Sequence, residues 1–239
     1  MTTRHDIEAT VPWMREGTVR LLAAVAGLTD DDLRAPSRLP GWTRAHVVGH
    51  VARNAEALTR LASWARTGVE TPMYADAEHR STEIERSATL PASTLRDDLA
   101  NTAAQLDDTL SALTAQQWWA GVRSALGRAI PAAEVPWMRV REVWLHRVDL
   151  DTGAAVADAP AGVLDLLLDD VTATLTAKDG CPPVVLEATD RDRRWTLGPD
   201  VADAGTAGAA TVSDDAAGLV AWITGRADHP GRPRLPRWL

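Results

Sequence analysis

The chain has 239 residues, enough for one large domain or two small ones, and long enough to bury a substantial core. With 45% hydrophobic and 24% charged residues, it has the composition of a globular protein, which argues against disorder and collagen-like structure. The formal net charge of -8 argues against a nucleic-acid partner, and the single cysteine excludes an intramolecular disulfide and any zinc site built on several thiolates.

The first two thirds read as helices. Apolar positions at Ile7, Val11, Met14, Val19, Leu22 and Val25 predict a helix over residues 3–26, stopped by Gly27. Leu39-Pro40-Gly41 reads as a turn, and Thr43 caps a second helix over residues 44–66, ended by Gly68 and Pro72. Residues 71–90 are polar with few apolar anchors, so a long connection with a short helix at most is expected. A third helix is predicted over residues 93–113, with Asp97 three residues after Thr94 as a capping partner. Gly121, Gly127 and Pro131 mark an irregular stretch, and Pro136 opens a fourth helix running to about Thr152.

The last third changes character. Residues 159–177 predict one more helix, residues 183–189 and 194–197 two short strands, and residues 209–212 a third. Residues 216–224 read as a short apolar helix ending at Gly225. The expected architecture is therefore α+β. A helical domain spans residues 1–155 and a small α/β domain spans residues 156–239. The longest apolar run, Val163 to Leu168, is far too short for a membrane span, and the N-terminus lacks the apolar core of a signal peptide. These features predict a cytoplasmic protein with no membrane or nucleic-acid partner. No long apolar stripe is left over, which points to a monomer.

Three side chains stand out for metal chemistry. Glu142 and His146 lie four residues apart on the fourth helix, so they share a face and can grip one ion. The competing reading is an ordinary exposed pair, since Arg139, Arg141 and Arg147 lie on the same helix. However, Val135, Met138 and Leu145 are close angular neighbours of Glu142 and His146, while Trp137, Val140, Trp144 and Val148 lie opposite. A helix apolar nearly all round is buried, and buried charges need partners or a metal. On the second helix, His46 and His50 are also four apart. His50 lies further in, with Asn54 one turn on. If the second and fourth helices pack, His50, Glu142 and His146 form two imidazoles and a carboxylate with an open position, the arrangement of catalytic zinc. Asp149 is a candidate to orient His146 through its second ring nitrogen. Iron, cobalt or manganese suit the same donors. Cys181 has no activating neighbour in sequence and reads as a small, half-buried residue. Arg226 follows the last apolar helix, where it either binds a carboxylate or caps the helix end.

Together, Pro40-Gly-Trp-Thr leading into His50, the run Arg141-Glu-Val-Trp-Leu-His-Arg-Val-Asp-Leu and Trp222-Ile-Thr-Gly-Arg226 resemble the mycothiol-dependent maleylpyruvate isomerases of actinobacteria. The resemblance covers nearly the whole chain. It implies a DinB-like four-helix bundle followed by a small α/β domain, with zinc on His50, Glu142 and His146 and Arg226 as the active-site arginine. It further implies a place in gentisate-type aromatic degradation, with mycothiol as a regenerated thiol cosubstrate and maleylpyruvate as substrate. His46 leaves open an exchange with His50 as ligand. Two other readings stand beside it: a mycothiol S-transferase or other thiol-dependent detoxification enzyme of the same build, and, from another class, a non-catalytic zinc-binding sensor with a closed four-ligand site, for which His46 is a candidate fourth ligand.

Overall fold

A computed structural model of the chain describes residues 2–198, 209–227 and 229–238. The chain folds into two compact units, Met1–Ala154 and Ala155–Leu239.

The first unit is built on four long helices: α1 (Ile7–Ala26), α3 (Arg44–Thr67), α5 (Ala92–Ser111) and α6 (Val135–Asp149), with a one-turn α2 (Asp30–Arg34) between the first two. The local signals for these helices are clear. Thr43 caps α3, and Gly68 ends it in the left-handed conformation (φ 74°) that a side chain would strain. Pro136 sits in the first turn of α6, where a missing N–H costs nothing. Helix α3 packs against α5 and α6, and α1 packs against α6 and α5, closing a four-helix bundle. Leu21, Val25, Val47, Val51, Leu58, Leu61, Leu95, Leu99, Leu106, Val140 and Val143 fill its interior.

Several local expectations change. The polar stretch contains a three-turn helix, α4 (Ala77–Ala88), laid against α3. Its only buried residues are Ile84 and Ser87, so it carries almost no periodic signal. Gly49 makes the approach possible, because a Cβ there would meet the Ser87 Cβ at 2.6 Å. Helix α5 begins after Pro91 with no side-chain cap, so Thr94 and Asp97 are already inside it. The stretch read as irregular holds an antiparallel hairpin, β1 (Gly121–Arg123) and β2 (Ala129–Pro131), with Val122 opposite Ile130. Helix α6 ends at Asp149 rather than near Thr152, followed by Asp151 in the left-handed region (φ 53°).

The second unit contains α7 (Ala161–Thr176), β3 (Val184–Ala188), β4 (Arg194–Leu197), β5 (Ala210–Asp214) and α8 (Ala216–Ile223). Strand β3 is central, antiparallel to β4 (Leu186 opposite Trp195) and parallel to β5 (Leu186 opposite Val212). Helix α7 packs on α8 and β4. No described helix is long and apolar enough to cross a membrane.

Candidate metal centre

Helix α3 places His50 and helix α6 places Glu142 and His146, and the α3–α6 packing brings the three together. Their ligand atoms all lie within 4.8 Å of one another. Glu142 Oε2 is 2.9 Å from His50 Nε2 and 3.2 Å from His146 Nε2, and the two rings stand edge to face at 4.7 Å. Two imidazole nitrogens and one carboxylate oxygen thus converge on one point. His146 is steered from behind, with Nδ1 lying 2.8 Å from Oδ2 of the fully buried Asp149. Trp42 closes the other flank, 5.5 Å from the His50 ring.

Burial and charge pull these groups in different directions. Burial pushes the His50 imidazole down, outweighing its contact with Glu142. Burial also works against ionised Glu142, but hydrogen bonds and charge from His146 and His50 hold its carboxyl well below the usual range. For His146, burial is outweighed by the bonds to Asp149 and Glu142, which raise its imidazole. The donor chemistry fits a divalent transition metal: borderline nitrogen and oxygen donors, three in number, on rigid helices.

His46 is elsewhere. Its Nδ1 accepts the Thr43 backbone N–H at 3.2 Å, and its Nε2 is 3.2 Å from Glu85. It completes the cap of α3 and is not among the clustered donors. Cys181 is buried, and burial raises its thiol. Arg226 follows α8 and donates from Nη1 to the Thr224 carbonyl at 3.1 Å.

Sequence reasoning passed over three residues near the cluster. Arg139, read as evidence for an exposed face, is only 1% exposed. It donates to the Val51 carbonyl (2.6 Å) and Asn54 Oδ1 (3.0 Å), binding α6 to α3 one turn from the ligands. Burial pushes its guanidinium down to about 10, so it stays charged at neutral pH. The available signal was its place three residues before Glu142 on a helix read as buried. Arg80 and Tyr74 come from the segment expected to be mostly connection. Arg80 Nη2 lies 3.4 Å from His50 Nδ1, and the guanidinium sits 5.7 Å from the Tyr74 ring centre.

The family model described as the mycothiol maleylpyruvate isomerase N-terminal domain matches residues 14–151. A crystal structure of the mycothiol-dependent maleylpyruvate isomerase is 34% identical over the whole of both chains, with a TM-score of 0.92. A histidine-to-alanine mutant of that enzyme is equally identical over the same coverage, with a TM-score of 0.91. YfiT from Bacillus subtilis, described as having an unusual four-helix bundle topology, is 23% identical over 63% of this chain and 87% of its own, with a TM-score of 0.53, a likeness of fold. No curated protein sequence matches.

Proposed function

Because the chain belongs to the mycothiol maleylpyruvate isomerase family, we propose that it isomerises maleylpyruvate to fumarylpyruvate with mycothiol as a regenerated thiol and zinc at His50, Glu142 and His146. The observation that carries this reading is the full-length match, at 34% identity and a TM-score of 0.92, to a mycothiol-dependent maleylpyruvate isomerase. The donor cluster supports it from the chemical side.

Maleylpyruvate has a cis double bond conjugated to carbonyls. Rotation is slow until a thiolate adds, forming a C–S bond and moving the π electrons onto the carbonyl as an enolate. The former double bond then turns as a single bond. Collapse of the enolate expels the thiolate and leaves the trans isomer, so no thiol is consumed. A divalent metal bound there supplies Lewis-acid chemistry, lowering the pKa of a thiol or polarising a carbonyl. The chain's own residues do the rest. His50 and His146 offer Nε2, Glu142 offers a carboxylate oxygen, and Asp149 holds the His146 ring in one orientation and tautomer. Arg226 supplies a cation for a substrate carboxylate and for the enolate charge. Cys181 takes no part, because mycothiol brings the sulfur. His46, the candidate fourth ligand of a closed sensor site, takes part in the cap of α3.

The test is metal analysis with a thiol-dependence assay on the wild type and His50→Ala. Zinc bound by the wild type and lost in the variant, with turnover only in the presence of mycothiol that is recovered unchanged, is the expected result. Consumption of mycothiol would turn the reading to an S-transferase. Absence of zinc from both proteins would reduce the cluster to a polar helix interface.

A further inference from the structure

The side chain of Arg80 is oriented in a way that the metal cluster alone does not account for. Helical spacing on α4 offers it Asp76 four residues before and Glu83 three residues after, the usual surface pairs. It takes neither. Asp76 caps α4 by accepting the His79 N–H at 2.7 Å, and Glu83 lies 3.9 Å from Arg86. Glu85 is 3.2 Å from His46. Arg80 instead turns inward, half-buried, with Tyr74 beside it and Nη2 against His50 Nδ1. Among the described residues it has no carboxylate within ion-pair distance, whereas Arg15, Arg20, Arg38, Arg53, Arg191, Arg193 and Arg232 each have one.

The contact with His50 depends on the ring's tautomer. A neutral imidazole has one N–H and one acceptor nitrogen. With the proton on Nε2, facing Glu142, Nδ1 accepts from Arg80. Were Nε2 to hold a metal, the proton of the neutral ring would reside on Nδ1 and two N–H groups would face each other. Arg80 would then lose its acceptor while still lying at the cluster. A planar guanidinium fork in that position matches a carboxylate, bidentate and charge-assisted.

We propose that Arg80 is a carboxylate-binding residue of the first unit, taking the carboxylate on the cis double bond of the substrate beside His50, Glu142 and His146. The inference rests on the isomerase reading for the identity of that substrate. The carboxylate site itself is tested independently with maleate, a cis dicarboxylate that is not turned over without a thiol.

The experiment compares wild type, Arg80→Met and Arg80→Lys, each loaded with zinc. It measures zinc content, maleate affinity by calorimetry without mycothiol, and KM and kcat for maleylpyruvate. Loss of a charge-assisted bidentate contact predicts maleate binding and KM weakened about 10- to 100-fold in Arg80→Met. Zinc content is expected to be unchanged, and Arg80→Lys to recover part of the affinity, since it keeps the charge and loses the fork. If Arg80→Met does not fold, Arg80→Gln carries the same expectations. Maleate affinity and KM within about twofold of wild type, a change under 0.5 kcal/mol, would overturn the proposal and leave the isomerase reading intact. Arg80-dependent maleate binding in a wild type that does not turn over maleylpyruvate would keep the carboxylate site and sink the isomerase reading.

Discussion

Two side chains illustrate how position decides chemistry. Asp149 and Cys181 are both buried, each in its own unit, and Asp149 reaches His146 Nδ1 at 2.8 Å. A carboxylate in that position fixes the ring's orientation and raises its basicity. Replacing it with Asn keeps the size but removes the acceptor charge, so Asp149→Asn is expected to weaken zinc affinity about 10- to 100-fold in a chelator competition. Unchanged affinity would show that helix geometry alone aims the ring. Cys181 has a thiol raised by burial, the opposite of an activated nucleophile. Cys181→Ser is therefore expected to retain kcat/KM and an unaltered requirement for mycothiol. Loss of turnover with an intact fold would place the reacting sulfur on the protein.

Between elements, α1 lies close against α6 at Gly17. A Cβ at position 17 would meet Val143 Cγ2 at 2.5 Å and Trp144 Nε1 at 2.7 Å. Trp144 Nε1 in turn donates to the Trp13 carbonyl of α1 at 3.0 Å. Gly17→Ala should therefore overpack this seam and cost about 1–3 kcal/mol, measurable by denaturant unfolding. At the start of α6, the Glu134 carboxylate is 2% exposed and is gripped by Arg128 and by His5 Nε2 at 3.0 Å. Burial raises its pKa, but these bonds and the charges of Arg128 and Arg4 outweigh that and lower it below 4.5. A carboxylate depressed in the folded state stabilises the fold above its unfolded pKa and loses that contribution as pH falls through the folded value. Glu134→Gln is expected to cost about 1–2 kcal/mol at neutral pH, the difference from wild type shrinking as the pH drops below 4.5. A difference that persists undiminished at acid pH would assign the loss to shape rather than charge.

On the scale of the molecule, the first unit carries all three donors, Asp149, Arg80 and a core of its own, while Arg226 belongs to the second. Metal binding is therefore expected of the first unit by itself: a fragment of residues 1–154 should hold zinc as the full chain does. A folded fragment that binds no zinc would show that the three donors do not suffice.

Much of this was legible in the chain because the physics is local. The 3.6-residue period marks α1, α3, α5 and α6, and Thr43, Gly68 and Pro136 mark their ends. The four-residue step from Glu142 to His146 puts two donors on one face without reference to anything else. Helix α4 and the β1–β2 hairpin were not legible, because α4 buries only two residues and the strands are three residues each. Position along the helix favoured His50 over His46, but it could not say what His50 meets. Both lie four residues apart on one helix, and only the packing of α3 on α6 brings His50 to a carboxylate 92 residues away. The inward turn of Arg80 belongs to the same class. Periodicity determines which residues share a face, and tertiary packing alone determines which faces meet.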